Sequence, residues 1–204
     1  MGTTTAHATI SLDGYSAGPD QTESDPLGRG GERLHQWMMR DPVHPEDEHW
    51  RDLLARPLAA CVMGRNMFGP VRGAWDRDWR GWWGDDPPYH CPVFVLTHHP
   101  HEPIEMAGGT TFHFVDDFDV AVRRAQEVAG PEGLVRVTGG ASTVQQALRA
   151  GVLDELVVDT TPITLGGGEL LLDGLPGLRP EPVESGHSPL ASHVRYRVLS
   201  GQLP

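Results

Sequence analysis

The sequence contains no lysine, and arginine supplies all 16 of its basic residues. The absence of lysine excludes Schiff-base catalysis and a lysine grip on a phosphate group. Aspartate and glutamate together number 28, so the formal charge is 16 − 28 = −12, which disfavours nucleic acid as a partner. An anionic cofactor would therefore have to be held by local arginine, histidine or backbone N–H groups.

Cysteine and long apolar runs are also scarce. Cys61 and Cys91 fit neither a CxxC motif nor a disulfide framework, and we do not predict thiol catalysis by either of them. No apolar run reaches the roughly 18 residues that a membrane helix requires. Residues 1–12 lack the basic start and apolar run of a signal peptide. We therefore expect a cytoplasmic protein that has no membrane partner.

Metal and hydrolase chemistry are not predicted either. One segment is rich in side chains that can bind metals, namely His90, Cys91, His98, His99 and His101. Their spacing matches no standard zinc ligand set, and prolines interrupt the segment. The sequence has no GxSxG motif, and its carboxylate pairs at residues 85–86 and 116–117 lie beside proline or at a predicted helix start. We interpret the pair at 116–117 as a helix cap.

Hydrophobic spacing predicts strands that alternate with helices along the chain. Strands are predicted at residues 5–12, 58–63, 92–97, 110–115, 134–138 and 153–162. Helices are predicted at residues 32–40, 46–56, 117–129 and 142–150. Two closing strands between residues 181 and 199 predict an antiparallel hairpin. At 204 residues, this order predicts one α/β domain with a mixed, mostly parallel sheet.

A long segment without periodicity, residues 68–92, separates two of the predicted strands and carries Trp75, Trp79, Trp82 and Trp83. Loops of this length inside a compact domain are uncommon and often have a function. We interpret the tryptophans as core packing or an oligomer contact. A lid that stacks on a substrate is the alternative. Similarly, the glycine run at 166–168 is interpreted as a flexible connection, with close approach to a ligand as the alternative.

The most informative stretch is the predicted strand that runs through Gly139 and Gly140 into a helix. Glycines at the end of a strand let the backbone approach a ligand closely. Ser142 and Thr143 are suitable N-cap residues, and a helix N-terminus favours a phosphate. Taken alone, the stretch fits phosphate binding and a tight turn without a ligand equally well.

Four segments in order resemble the dihydrofolate reductase superfamily, over roughly residues 5–199. Val-Thr-Gly-Gly-Ala-Ser at 137–142 resembles its pyrophosphate-binding turn. Ile-Ser-Leu-Asp-Gly at 10–14 resembles the end of its first strand, in a form closer to the reductase domain of riboflavin biosynthesis. The segment at 62–68 resembles the strand and Gly-Arg turn that meet the adenosine phosphate. The segment at 93–97 resembles the strand whose end lies by the adenine ribose.

The resemblance implies a three-layer fold with helices on both faces of the sheet, NADPH as cofactor, and a homodimer. The residues implied at the cofactor are Ala8 and Ile10 beside the nicotinamide; Gly64, Arg65, Asn66 and Met67 beside the adenosine and pyrophosphate; Thr97, His98 and His99 near the 2′-phosphate; and Thr138, Gly139, Gly140, Ala141, Ser142 and Thr143 over the pyrophosphate. Physical chemistry agrees with this assignment, because an arginine such as Arg65 can bind two phosphate oxygens at once.

The implied activity is hydride transfer from NADPH to a small heterocycle, a pteridine or a pyrimidine, as in a 5-amino-6-(5-phosphoribosylamino)uracil reductase. Asp13 closes the first strand and is the candidate catalytic acid, with a simple Asp-Gly turn as the alternative. Residues 27–38 lack the acidic motif that binds a pterin in dihydrofolate reductase, which argues against folate. Two other functions stay open: a module that binds NADP(H) without turnover, and an interaction protein that keeps the fold.

Overall fold

The computed structural model describes residues 2–199 and 201 of the chain. The strands are β1 (Thr3–Ser11), β2 (Tyr15–Ala17), β3 (Ala60–Gly64), β4 (Pro92–Leu96), β5 (Ile104–Glu105), β6 (Thr111–Val115), β7 (Leu134–Gly139), β8 (Glu155–Thr161), β9 (Glu169–Leu170), β10 (Glu181–His187) and β11 (Ser192–Arg197). The helices are α1 (Gln36–Met39), α2 (Pro45–Leu54), α3 (Arg65–Phe68), α4 (Phe118–Ala129) and α5 (Ala141–Arg149), with 3₁₀ turns at Gly31–His35 and Ala107–Gly109.

Within the described residues, nine strands form one sheet in the order β10-β11-β8-β1-β7-β3-β4-β6-β5, and β2 pairs separately with β9. All pairs from β8 to β6 are parallel. The pairs β10-β11, β11-β8 and β5-β6 are antiparallel. The predicted mixed sheet with a closing antiparallel hairpin is therefore confirmed.

Alternate residues of the central strands face opposite layers, because side chains along a strand point to opposite faces. Ala60 and Val62 of β3 join the core that contains α4 and α5, whereas Cys61 and Met63 join a second core on the other face. On that second face, Trp37 and Trp50 bring the helical segments around α1 and α2 against β8. Burial on both faces explains the unbroken apolar runs that predicted these strands.

Two helix starts test the capping predictions. Asp117 caps α4, since its Oδ1 accepts a hydrogen bond of 2.8 Å from the amide of Val120, which confirms that prediction. The prediction for α5 was wrong: Gly140 is the N-cap, and neither Ser142 nor Thr143 caps the helix. The reason is that Gly139 turns the chain with a φ of 115°, so the helix begins directly after the glycine pair.

Other differences from the predicted elements are local. Residues 32–40 form a 3₁₀ turn followed by α1, because the backbone of His35 (φ −100°, ψ 4°) leaves the α-helical region between them. The sequence pattern missed α3 and the short strands β2, β5 and β9. In the part of the chain that the structure covers, no helix is long and apolar enough to cross a membrane.

Candidate functional site

A cavity of about 650 Å³ opens at the carboxyl ends of the central parallel strands. Its wall includes Gly64, Leu96 and Gly139, which are the last residues of β3, β4 and β7. Ligands of open α/β sheets bind at this end of the strands, and the volume is that of an ordinary ligand pocket. The fold therefore supplies a cavity at the strand ends where the sequence predicts ligand-binding residues.

The glycine turn between β7 and α5 forms one side of this cavity. The peptide bond between Gly139 and Gly140 is cis, and no side chain caps α5. A Cβ on Gly140 would meet nothing within 4 Å among the described residues, so the space in front of this backbone is free. A Cβ on Gly64 would lie 2.8 Å from Thr143 Oγ1, so that glycine allows β3 to approach α5 closely.

Arg65, at the start of α3, faces the cavity from the adjacent strand end. Its guanidinium donates to Thr97 Oγ1 (2.6 Å) and to the carbonyl of Gly73 (2.8 Å), and it lies 3.6 Å from the ring centre of Trp75. Burial lowers the pKa of this guanidinium, and its Nε is buried without a hydrogen-bond partner in the described part of the chain. Arg65 is thus a cation fixed in place, with one N–H left unsatisfied.

Thr97 links this arginine to the turn after β4. Besides the bond from Arg65, its Oγ1 accepts the amide of His99 at 3.1 Å, which fixes the turn that places His98 and His99 on the cavity wall. Arg72 lines the same end of the cavity and was not singled out from the sequence. Two arginines therefore give this end the cations that a 2′-phosphate requires, and two histidines lie beside them as further hydrogen-bonding groups.

The structure brings nearly all the predicted cofactor residues together. Of the fifteen, fourteen line the cavity: Ala8, Gly64, Arg65, Asn66, Met67, Thr97, His98, His99, Thr138, Gly139, Gly140, Ala141, Ser142 and Thr143. Ile10 does not line the cavity; its side chain packs against the core that holds α4 and α5. The glycine turn, the unsatisfied Arg65 and the cationic end all fit a phosphorylated dinucleotide.

Asp13 does not line the cavity. Its Oδ1 accepts the hydroxyl of Ser11 (2.6 Å) and the amide of Leu165 (3.1 Å), and its Oδ2 accepts the amide of Gly166 (2.8 Å). The bond from Ser11, assisted by those amides, lowers the pKa of this carboxyl. Both oxygens hold the turn after β8, so we correct the assignment of Asp13 from catalytic acid to turn residue.

The tryptophan-rich segment divides into two roles. Trp75 packs against Phe68 and Phe114, and Trp79 donates to the carbonyl of Phe68 at 3.0 Å. Trp82 and Trp83 instead line the cavity, and 58% of Trp83 is exposed. The packing interpretation thus holds for the first two tryptophans, while the last two lie where a lid would contact a substrate.

Several other residues of the cavity wall were missed. They are His7 and Thr9 on β1, Leu27 in the loop after β2, His35 in the first 3₁₀ turn, and Tyr89 before β4. Burial raises the pKa of Tyr89 to about 12, so this phenol stays protonated at neutral pH. Only the β-rich alternation of β1 pointed to His7 and Thr9, because residues 7 and 9 share one face of a strand.

The two cysteines lie apart from the cavity, Cys61 on β3 and Cys91 directly before the adjacent strand β4. Their Sγ atoms are 3.7 Å apart, which is a contact between two buried thiols and too long for a disulfide bond. Within the residues described, no group of three or more histidine, cysteine, aspartate or glutamate side chains is arranged to hold a metal ion.

The sequence matches the family described as the RibD C-terminal domain over residues 3–188. This chain belongs to that family. Membership in the RibD C-terminal domain family confirms the resemblance to the riboflavin-type reductases and supports a reductase role. No curated protein sequence matches the chain.

Solved structures share the fold of this RibD C-terminal domain at low identity. A protein assigned to riboflavin biosynthesis from Shewanella sp. PV-4 aligns with a TM-score of 0.63 at 23% identity, over 97% of this chain and 99% of its own. A pyrimidine reductase-like protein from Corynebacterium diphtheriae gives 0.57 at 15% identity, over 97% and 92%.

A third structure belongs to a larger protein. It is the diaminohydroxyphosphoribosylaminopyrimidine deaminase/5-amino-6-(5-phosphoribosylamino)uracil reductase of Thermotoga maritima, with a TM-score of 0.59 at 12% identity. The alignment covers 97% of this chain but 57% of the Thermotoga chain. These likenesses confirm the predicted dihydrofolate reductase-like fold.

Proposed function

We propose that this protein is an NADPH-dependent reductase that transfers a hydride to a small heterocycle, a pyrimidine or a pteridine. The observation that supports this most strongly is that fourteen of the fifteen residues expected to contact NADPH line one cavity. They come from β1 and from the ends of β3, β4 and β7, so their meeting depends on the fold and not on their nearness in sequence.

The residues of the cavity divide the work of holding the cofactor. Gly139, Gly140 and the first amides of α5 would bind the pyrophosphate through backbone N–H groups, which needs no lysine. Arg65, together with Arg72 and the histidines after β4, would bind the 2′-phosphate. When bound, NADPH supplies the hydride, and the protein contributes orientation and exclusion of water.

Other residues of the cavity have the character of a site for a flat ring. Leu27, Trp82, Trp83 and Tyr89 present apolar and aromatic surface to the cavity. Aromatic side chains pack well against planar heterocycles, and a mostly apolar wall with a few polar groups is typical of small-molecule sites. The name of the Thermotoga maritima protein makes 5-amino-6-(5-phosphoribosylamino)uracil the first compound to test.

The test is NADPH consumption by the purified protein, followed by absorbance, with that compound and a panel of pyrimidines and pteridines. We expect saturable consumption with at least one of them and much slower consumption with NADH. Arg123→Ala is a suitable control for substitution of an arginine in the cavity, and it should consume NADPH as fast as the wild type. Arg123 is exposed, and its Nε lies 3.9 Å from the carboxylate of Glu127. Tight NADPH binding without reduction of any compound would instead identify a binding module without turnover.

A further inference from the structure

A histidine on β1 links the cavity to a buried chain of charged groups. His7 lines the cavity, yet only 4% of its side chain is exposed. Its Nε2 lies 2.8 Å from Oδ2 of Asp159, a residue of β8 whose side chain is fully buried. Because this bond occupies Nε2, Nδ1 is the ring nitrogen that remains for another partner.

The row of hydrogen-bonded charged groups continues beyond Asp159 to the helix layer. The other oxygen of Asp159, Oδ1, lies 2.7 Å from Nδ1 of His193, and Nε2 of His193 lies 3.0 Å from Oδ1 of Asp47 on α2. The side chains of His193 and Asp47 are fully buried. Trp50 stacks on the His193 ring at 5.1 Å and Trp37 meets it edge-on at 4.9 Å, so water is excluded from this part of the chain.

Two carboxylates and two imidazole rings alternate along this row of hydrogen bonds. Burial lowers the pKa of His193, but hydrogen bonds to Asp159 and Asp47 outweigh it and raise the pKa above its ordinary value. Burial by itself raises the pKa of Asp159, but the hydrogen bonds from His193 and His7 outweigh burial and lower the pKa below its ordinary value. One imidazolium between two carboxylates gives +1 − 2 = −1, so one negative charge remains, and His7 is hydrogen-bonded to the carboxylate of Asp159.

The other charged groups near His7 have partners elsewhere. Arg136 of β7 donates to the carbonyls of Leu53 and Leu54. Arg195 of β11 pairs with Glu155 and Glu184, each at 2.9 Å.

His35 lines the same wall, but burial lowers its pKa and its Nδ1 is buried without a partner in the described residues. It is therefore held in the neutral form, which leaves His7 as the histidine of this wall that is paired with a carboxylate.

We propose that His7 donates the proton that accompanies hydride transfer, and that Asp159 is the positioning residue that holds its ring. This inference rests on the proposed reductase function. The hydride joins the carbon of a C=N or C=O bond with two electrons, the π pair of that bond moves to the heteroatom, and the heteroatom takes a proton from Nδ1 of His7. The ring becomes neutral and regains a proton from water.

A purely architectural role does not explain the position of His7. Asp47 and His193 already join α2 to β11, and Asp159 joins them to β8. His7 adds a bond within the sheet, between the neighbouring strands β1 and β8, and places its ring at the cavity. Carboxylate–histidine pairs of this kind fix the tautomer and orientation of a general acid.

The first test is His7→Gln, which keeps a hydrogen-bonding side chain but cannot exchange a proton. His49→Gln is the matched control, since His49 also lies 2.8 Å from a carboxylate oxygen, that of Glu184, but 55% of its side chain is exposed. General-acid loss predicts a decrease in kcat of about 10² to 10⁴-fold for His7→Gln, with KM and the NADPH dissociation constant nearly unchanged. His49→Gln should match the wild type.

The pH profile supplies the readout that a structural role would not change. For the panel compound that the wild type reduces fastest, kcat should fall as rising pH removes the proton from His7, and the residual rate of His7→Gln should not show this fall. A ¹⁵N NMR titration of the free protein should show the His7 ring passing from the doubly protonated form to the singly protonated form that keeps the proton on Nε2.

The outcomes separate the two proposals. If the wild type reduces the compound and His7→Gln does so equally fast, the role of His7 is refuted while the reductase assignment stands. A His7 ring that stays neutral throughout the titration refutes it as well, whatever the turnover. If the wild type reduces nothing on the panel, the reductase assignment fails and the role of His7 fails with it.

Discussion

His193 lies between two carboxylates, and its charge stabilises the attachment of α2 to the sheet. Its pKa is raised on folding, so its contribution to stability is complete below its ordinary value of 6.5 and is lost as the pH rises through the folded pKa. The pKa of Asp159 is lowered from 3.8, so its contribution is lost only as the pH falls through that lower value. The protein should therefore be most stable in mildly acidic solution.

Urea unfolding over a pH series tests this at the residue scale. The wild type should lose stability on the alkaline side, and His193→Gln should abolish that loss while costing about 3–5 kcal/mol at mildly acidic pH, the usual effect of breaking a buried ion pair. The exposed pair of His49 and Glu184 gives a control, because His49→Gln should change stability by about 1 kcal/mol or less. A wild-type stability that does not depend on pH above neutrality would refute the charged state of His193.

Arg65 provides a second residue-scale prediction. Arg65→Ala removes a cation from the end of the cavity assigned to the 2′-phosphate, which NADPH has and NADH lacks. A hydrogen bond to a charged group corresponds to about 10- to 100-fold in affinity, so the NADPH dissociation constant should rise by about that factor while that of NADH changes little. Calorimetry with both nucleotides measures this, and equal weakening of the two would show that Arg65 is structural.

Single residues were predictable where their role is local and unpredictable where it depends on distant partners. Arg65 follows a strand end in a short motif, and the sequence placed it at the cavity correctly. His7 and Asp159 are 152 positions apart, and nothing near His7 in sequence indicates a carboxylate partner. Asp13 misled for the same reason, because the amides that it binds belong to residues 165 and 166.

At the scale of elements, the approach of β3 to α5 depends on Gly64. A Cβ at this position would lie 2.8 Å from Thr143 Oγ1, closer than real contacts allow, while the backbone itself is ordinary (φ −75°). Gly64→Ala should therefore destabilise the protein by about 1–3 kcal/mol through overpacking.

A double-mutant cycle with Thr143→Ala tests the cause, since that change removes the hydroxyl from the contact. The unfolding free energy of the double variant should exceed the value expected from adding the two single effects by about 0.5–3 kcal/mol. Simple additivity would mean that the two elements do not meet at this contact.

The element order was predictable because periodicity and burial are local properties of the sequence. The central strands were recognised from their apolar runs, and the glycine pair identified the turn into α5. The short elements α3, β2, β5 and β9 were not recognised, because two to four residues are too few for a period and their pairing is set by distant segments. For the same reason the sequence did not show that the two cysteines touch.

At the scale of the whole molecule, the homodimer stays a prediction. The hairpin of β10 and β11 forms one side of the sheet, and β10 is its outermost strand. This edge strand carries the exposed side chain of Val183. Unprotected edge strands pair readily with another chain. Light scattering in solution should give twice the chain mass of 22.3 kDa, and a single-chain mass at working concentrations would contradict the prediction.

The proposed reductase function requires that the cavity bind NADPH, and Gly140 allows a direct measurement. Its φ of −66° is one that any residue adopts, and a Cβ there would meet nothing within 4 Å in the described structure, so Gly140→Val should fold while filling the space assigned to the pyrophosphate. Calorimetry should show that the wild-type protein binds NADPH. A folded Gly140→Val variant should bind NADPH at least about 100-fold more weakly, which corresponds to about 2.7 kcal/mol of binding free energy. Equal binding by the two proteins, or no binding by the wild type, would contradict the account.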